Sequence, residues 1–174
     1  MPATDSKTNE TQTESIKSIN LNLLEALTNE SDEIVDKYMT FTLNDRVYGI
    51  EIQNVREIVD MQKITNVPGM EDYIKGLINL RGQVIPVLDV RLRFGMKFRE
   101  YNPRTCIIVV EFHETMIGLI VDRVADVLII PRDQIQEPPS KKDQGYDRFI
   151  KGLDKSDQTV KLILDTEKLI SRAQ

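Results

Sequence analysis

The chain is poor in the residues that do most enzyme chemistry. Its 174 residues include one histidine, His113, one cysteine, Cys106, and no tryptophan. A lone cysteine forms no intramolecular disulfide, which excludes a disulfide-stapled secreted framework and makes a reducing cytoplasm the expected setting. One histidine and one cysteine also exclude a structural zinc site built from several of them. Long apolar runs are missing. Stretches such as Val127 to Ile130 fall far short of the roughly 18 residues that span a bilayer, and the first fourteen residues contain no apolar signal-peptide region. A soluble protein without direct membrane contact is expected. There is no basic excess either: 23 Lys and Arg stand against 28 Asp and Glu, a net charge of −5. A sequence-independent nucleic-acid binder needs a basic stripe to displace phosphate counterions and aromatic platforms for the bases. No nucleic-acid partner is expected.

Phosphate-cradling glycine loops of the GxxxxGKS/T and GxGxxG kinds are absent, and no serine sits in a G-x-S-x-G elbow. Nothing nominates a catalytic residue, a cofactor-binding residue or a metal ligand. The acids leave a carboxylate-dependent hydrolase open by count alone. His113 falls in a predicted turn, and Cys106 opens an apolar strand, where a small buried hydrophobe is the usual role.

The length suits one domain with a tail, or two very small ones. Residues 1–37 read as an N-terminal tail, mostly disordered, with the first twenty or so rich in Thr, Ser, Asn, Gln and Glu. Within it Ile16, Ile19, Leu23 and Leu27, with Leu24 beside them, recur at helical spacing. They predict a short helix that packs on its own domain, or else serves as a docking peptide. Glu30, Asp32, Glu33 and Asp36 follow as a solvated linker.

From Tyr38 the texture changes to short β-type runs broken by turns, and the chain begins to repeat itself. At an offset of 69 residues, 38–52 and 107–121 both read strand, polar turn, strand; Asn44 falls on His113, Gly49 on Gly118, Val55 on Val124 and Glu57 on Asp126. At an offset of 76, Ile74-Lys-Gly-Leu77 recurs unchanged as Ile150-Lys-Gly-Leu153. Seven of the 16 positions from 74 to 89 are identical, where unrelated sequences would share about one. The seven extra residues fall between Ile130 and Arg148, in a predicted loop around Pro138, Pro139, Ser140, Lys141 and Lys142. The body, about 38–171, therefore reads as a tandem duplication with pseudo-repeats at about 38–95 and 105–171. Neither copy is large enough for a sizeable core, so the two are expected to share one and to exchange elements.

Each copy is expected to hold a hairpin, a short helix, a second hairpin region and a closing helix. The apolar spacing of residues 52–59 predicts that short helix, with Arg56 and Glu57 facing out; Asp126 takes the same outward place in the second copy. Arg81-Gly82 reads as a hairpin turn in which glycine supplies positive φ. Pro86 lacks an amide donor and predicts a sheet edge or a bulge. Asp89 and Asp165 read as N-caps of short helices, the first ending at Gly95. The informative place is where the duplication fails: Ile78-Asn-Leu-Arg-Gly82 in one copy faces Asp154-Lys-Ser-Asp-Gln158 in the other. A symmetric fold needs only a turn there, so an arginine in one copy alone suggests a local task. The planar guanidinium suits a protein interface.

Three stretches carry a resemblance. Residues 48–58 (YGIEIQNVREI), then Pro68 with residues 73–91 (YIKGLINLRGQVIPVLDVR), then residues 117–127 (IGLIVDRVADV) resemble the bacterial chemotaxis coupling proteins, the CheW family, in order across the whole body. The tail before residue 38 carries no family motif. The resemblance implies a mainly β fold: two SH3-like five-stranded β-barrels packed on a shared hydrophobic core, with short helices. It implies a non-catalytic cytoplasmic adaptor, recruited to membrane receptor arrays through its partners, that needs no cofactor. Those partners would be the cytoplasmic tips of methyl-accepting chemotaxis receptors and the regulatory domain of a chemotaxis histidine kinase. By the same resemblance Arg81, Val55, Gly76 and Val127 would be receptor-binding, beside a groove between the barrels, and Glu57 and Ile58 kinase-binding. Plain packing also explains Val55, Gly76 and Val127. A detached kinase regulatory domain is the nearest alternative, although no ATP-binding or phosphotransfer sequence adjoins the body. A fused receiver has no room in the three residues after 171.

Overall fold

A computed structural model describes residues 5–28, 36–138 and 148–171, with side chains from residue 12 onward. Glu30, Asp32, Glu33 and most of the predicted loop after Pro138 lie outside the described residues. The fold is mainly β: the described residues form eleven strands and three α-helices. The helices are α1 (Asp5–Thr28), α2 (Val90–Arg93) and α3 (Thr166–Ile170). The first copy supplies β1 (Lys37–Leu43), β2 (Arg46–Glu51), β3 (Val55–Asp60), β4 (Ile74–Leu80) and β5 (Gln83–Asp89). The second supplies β6 (Cys106–Phe112), β7 (Thr115–Val121), β8 (Arg123–Ile129), β9 (Ile135–Gln136), β10 (Ile150–Asp154) and β11 (Lys161–Leu164).

The strands form two sheets, ordered β8-β1-β2-β11-β10-β9 and β3-β6-β7-β5-β4. Each sheet takes its first hairpin from one pseudo-repeat and its flanking strand and second hairpin from the other. The seams are antiparallel at β1–β8 and β3–β6, and parallel at β2–β11 and β5–β7. One core cluster lies across the interface. It gathers Phe41 and Tyr48 from β1 and β2, Val55, Ile58, Ile108 and Leu119 from β3, β6 and β7 of the other sheet, and Leu164 and Leu169 from the C-terminal end. Ring stacking threads it: Phe41–Tyr48, Tyr48–Phe94 and Phe94–Phe149 have centroids 5.5 to 5.7 Å apart. Each fully buried side chain of this size stabilises the fold by about 1.5–3 kcal/mol. Smaller clusters fill each sheet, Ile78, Ile85 and Ile107 in one and Tyr38, Ile130 and Ile163 in the other.

The turn chemistry behaves as the residues dictate. Arg81 and Gly82 both take positive φ (51° and 85°), as do Asn44 and Asp45 in the β1–β2 turn and His113 and Glu114 in the β6–β7 turn. Two consecutive left-handed residues are what a two-residue hairpin between right-twisted strands requires. Asp89 caps α2 by accepting from Leu92 N at 3.2 Å, and Asp165 caps α3 by accepting from Lys168 N at 3.0 Å. Gly95, at φ 77°, follows the C-terminal end of α2.

Three expectations are corrected. The helix expected over 52–59 is a single 3-10 turn, Ile52–Asn54, followed by strand β3. Between Val55 and Glu57 the register with β6 slips by a residue, a bulge that turns Val55 and Ile58 both inward although they are three apart. A bulged strand thus imitates helical periodicity. The second copy does the same: β8, not a helix, carries Val124, Asp126 and Val127, and slips against β1 between Met39 and Phe41. Pro86 is on an interior strand, but the parallel ladder of β5 with β7 begins only at Val87, so its missing donor falls at the ladder's end. The polar residues expected to be disordered are largely helical, since α1 starts at Asp5. Its expected stripe is real: Ile16, Ile19 and Leu23 are buried with Ala26, and Leu27 packs against them partly buried, while Leu24 is exposed.

Candidate interaction site

The turn that distinguishes the two copies presents Arg81 to solvent at the end of β4–β5, its side chain 72% exposed. Asn79 steadies the turn by accepting the Gly82 N–H at 2.8 Å. From there the guanidinium reaches to Glu57 on β3: Nη1 donates to Oε2 at 3.2 Å, and Nη2 donates to Oε1. This two-pronged pairing fixes the plane of the guanidinium. Glu57 raises the pKa of Arg81 further, chiefly through these hydrogen bonds. Since β3 and β4 are the two outer strands of their sheet, the pair also ties that sheet's two ends together. Beside it, Arg56 on β3 pairs with Glu111 of β6. The two residues that the resemblance divides between receptor and kinase are therefore in contact.

The other four residues are placed differently. Val55 and Ile58 are 1% exposed and belong to the shared core. Gly76, at φ 141°, is buried where a bulge separates Ile74 from Gly76 in the β4–β5 ladder. A Cβ there would lie 2.1 Å from the carbonyl oxygen of Thr65, whose backbone bonds Leu77 in both directions at 2.8 Å. Gly152 stands at the matching bulge of β10–β11 but without positive φ, and there a Cβ would meet the side chain of Ile135 instead of a backbone carbonyl. Val127, on β8, is partly buried against the core. Val127 and Ile58 are equivalent at the 69-residue offset, on the outer strands of opposite sheets.

The fold, the shared core and the bulge pattern invite comparison with known proteins. The family model described as CheW-like domain matches residues 37–174. The chain belongs to the CheW-like family. It is 32% identical over 140 residues to the chemotaxis protein CheW of Klebsiella aerogenes, covering 80% of this chain and 84% of that one. It is 33% identical over 137 residues to the chemotaxis protein CheW of Bacillus subtilis, covering 79% and 88%. Among solved structures, the scaffolding protein TtCheW from Thermoanaerobacter tengcongensis superposes with a TM-score of 0.72 at 35% identity, covering 79% of this chain and 93% of that one. The mainly β, two-sheet architecture is that of a CheW-like protein.

Residues that sequence reasoning passed over hold this CheW-like fold together. Arg91, 7% exposed, forks onto Asp122 with Nε–Oδ1 and Nη2–Oδ2 distances of 2.6 Å, and also donates to Asn44 Oδ1. The cluster joins α2 to the turn after β7 and to the β1–β2 hairpin. Burial alone would raise the Asp122 pKa, but hydrogen bonds from Arg91 and the Asn44 N–H hold it below the usual carboxylate value. Arg93 is equally buried, donates to Leu169 O at 3.0 Å and Lys168 O at 3.3 Å, and stacks over Tyr73 and Phe149 at 4.4 and 4.9 Å. It closes the last carbonyls of α3. Asp89-Val-Arg91 and Val121-Asp122 were visible as motif letters, but their meeting is a product of folding.

The rare residues take no part in such a site. Cys106 is buried, and burial pushes its thiol up to about 12, so it stays protonated. His113 sits in its hairpin turn against the edge of Phe112, with ring centroids 4.2 Å apart.

Proposed function

We propose that this CheW-like protein is a chemotaxis adaptor, coupling methyl-accepting chemotaxis receptors to the regulatory domain of the chemotaxis histidine kinase without catalysing a reaction. Family membership across residues 37–174 carries the reading, and the relatives' names, chemotaxis protein and scaffolding protein, support it. No helix among the described residues is long and apolar enough to cross a membrane; on the adaptor reading, contact with receptors runs through their cytoplasmic tips.

On this reading Arg81 and Val127 meet the receptor, and Glu57 meets the kinase. Val55, Gly76 and Ile58, buried at rest, hold the bulged strands that present those groups. A receptor tip offers an amphipathic helical surface, which suits an aliphatic groove with a rim arginine. Because Arg81 and Glu57 share a two-pronged pair, a receptor group that engages Arg81 changes the charge Glu57 shows its own partner. Kinase control would then be a population shift between two arrangements, with many weak contacts reinforced by tethering in an array.

The test is a titration of the purified chain with a soluble receptor-tip fragment and, separately, with the kinase regulatory domain. Both are expected to bind, and both together to give a ternary complex. Binding to neither overturns the adaptor reading.

A further inference from the structure

The apolar strip between β3 and β8 is covered by the chain's own N-terminal helix. Helix α1 packs against both β3 and β8. These are the outer strands of the two sheets, and they carry Val55, Ile58 and Val127. Ile16, Ile19, Leu23 and Ala26 are spaced at i, i+3, i+7 and i+10 and enter the shared core. Asn20, flanking that stripe, treats β3 as a strand would: its Nδ2 donates to Ile58 O at 2.9 Å, and Ile58 N donates to its Oδ1 at 3.0 Å. One carboxamide thus satisfies both free backbone groups of an edge residue. At the far end Lys37 Nζ donates to Ala26 O at 3.2 Å.

The seat is imperfect along its N-terminal half. An open cleft of about 240 Å³ runs beside it, lined by Gln12, Ile16, Ile19 and Val124 with the arginines Arg104 and Arg123. Among the described residues Gln12 Oε1, buried, has no hydrogen-bond partner. A seat left partly uncovered and an orphaned acceptor both weaken docking. The opposite face of α1 is unusual in leaving Leu21 and Leu24 61% and 57% exposed.

We propose that α1 is a displaceable occupant of the partner groove, which binds in trans an amphipathic helix with the same apolar spacing and a flanking carboxamide. Release of α1 uncovers the β3 edge at Ile58 and the apolar strip between β3 and β8. That would bring Val55, Ile58 and Val127, buried or half-buried at rest, into reach of a partner. The proposal rests on the adaptor reading for the identity of that partner, a receptor-tip helix, and adds that the free chain holds itself closed.

Hydrogen exchange on the full chain tests it, with a soluble receptor-tip fragment as the probe. At saturation the amides of α1 are expected to exchange faster, while Ile58, taken up by the fragment's own carboxamide, and β6 and β7 keep their protection. Two full-length variants push in opposite directions. Leu23→Asp undocks α1 and tightens fragment binding, by about tenfold if the open form is about a tenth of the free protein. Gln12→Leu removes the orphaned acceptor, seats α1 better and weakens binding. Binding by Leu23→Asp with none by the wild type also supports the proposal. Fragment binding that leaves α1 as protected as before, or more so, overturns it while the adaptor reading stands. Absence of fragment binding by the wild type and Leu23→Asp alike overturns the proposal, and the adaptor reading falls with it only if the kinase regulatory domain also fails to bind.

Discussion

The β4–β5 turn and the β10–β11 loop hold equivalent places in the two copies and handle charge in opposite ways. The first is a two-residue turn with its cation outside: Arg81 is 72% exposed and reaches over solvent to Glu57 on another strand. The second is longer and turns its charges inward. Lys161, 8% exposed, pairs with Asp154 at 3.4 Å and Asp157 at 2.7 Å, while Asp154 and Asp157 also accept the N–H groups of Ser156 and Thr159 at 3.0 and 2.7 Å. Hydrogen bonds from Lys161 hold Asp157 below the usual carboxylate pKa. One loop satisfies its charges within itself, and the other sets a solvent-facing arginine against a carboxylate from a different strand.

If that contrast is right, the inward loop is the one stability depends on. Asp154→Ala removes the buried carboxylate from Lys161 and from the Ser156 N–H, leaving the cation to the exposed Asp157, and should cost about 2–3 kcal/mol. The urea midpoint should fall accordingly, with receptor binding by the folded protein unchanged. Asp122→Asn, at the seam between copies, should rank second, at about 2 kcal/mol near neutral pH, because a charge-assisted fork is replaced by a weaker one. It carries a pH signature too. The Asp122 pKa is lowered in the folded state, so its contribution is full above the unfolded carboxylate value of about 4 and is lost as pH falls through the folded value. Thermal melts from pH 6 to pH 2 should therefore show a shallower acid limb in the variant.

The outward turn should behave in the reverse sense. Arg81→Ala is expected to weaken receptor-fragment binding about tenfold, while leaving the urea midpoint nearly unchanged, as an exposed pair allows. Unchanged affinity in a titration would remove Arg81 from the receptor site. The smallest effect belongs to Glu57→Gln: stability within about 0.5 kcal/mol and a weaker kinase-domain affinity. A loss as large as that for Asp154→Ala would show that the Arg81–Glu57 tie is structural, and the contrast between the turns would fail.

Much of this was legible in the residues, for identifiable reasons. Ile-Lys-Gly-Leu twice, with Val84, Leu88 and Asp89 answered by Val160, Leu164 and Asp165, announced the duplication. Turn positions, the Asp89 and Asp165 caps and the α1 stripe each depend on a few neighbouring residues, and all were readable. The bulged strands were misread because an inserted residue changes the burial period from two to three. The Arg81–Glu57 contact was hidden because its partners lie 24 residues apart, and nothing local links a turn to a strand. The polar start of α1 was misjudged because composition predicts disorder without knowing that a docked stripe downstream continues the helix.

The amino-acid sequence by itself determined the duplicated unit, its turns and caps, and the one arginine that breaks its symmetry. These follow from φ preferences, side-chain size and short-range hydrogen bonding. Tertiary structure alone decided that hairpins would pair across copies, that Arg91 would find Asp122, and that α1 would lie across β3 and β8. Those outcomes turn on which buried surfaces and free strand edges meet in space, and no local preference of the chain encodes that choice.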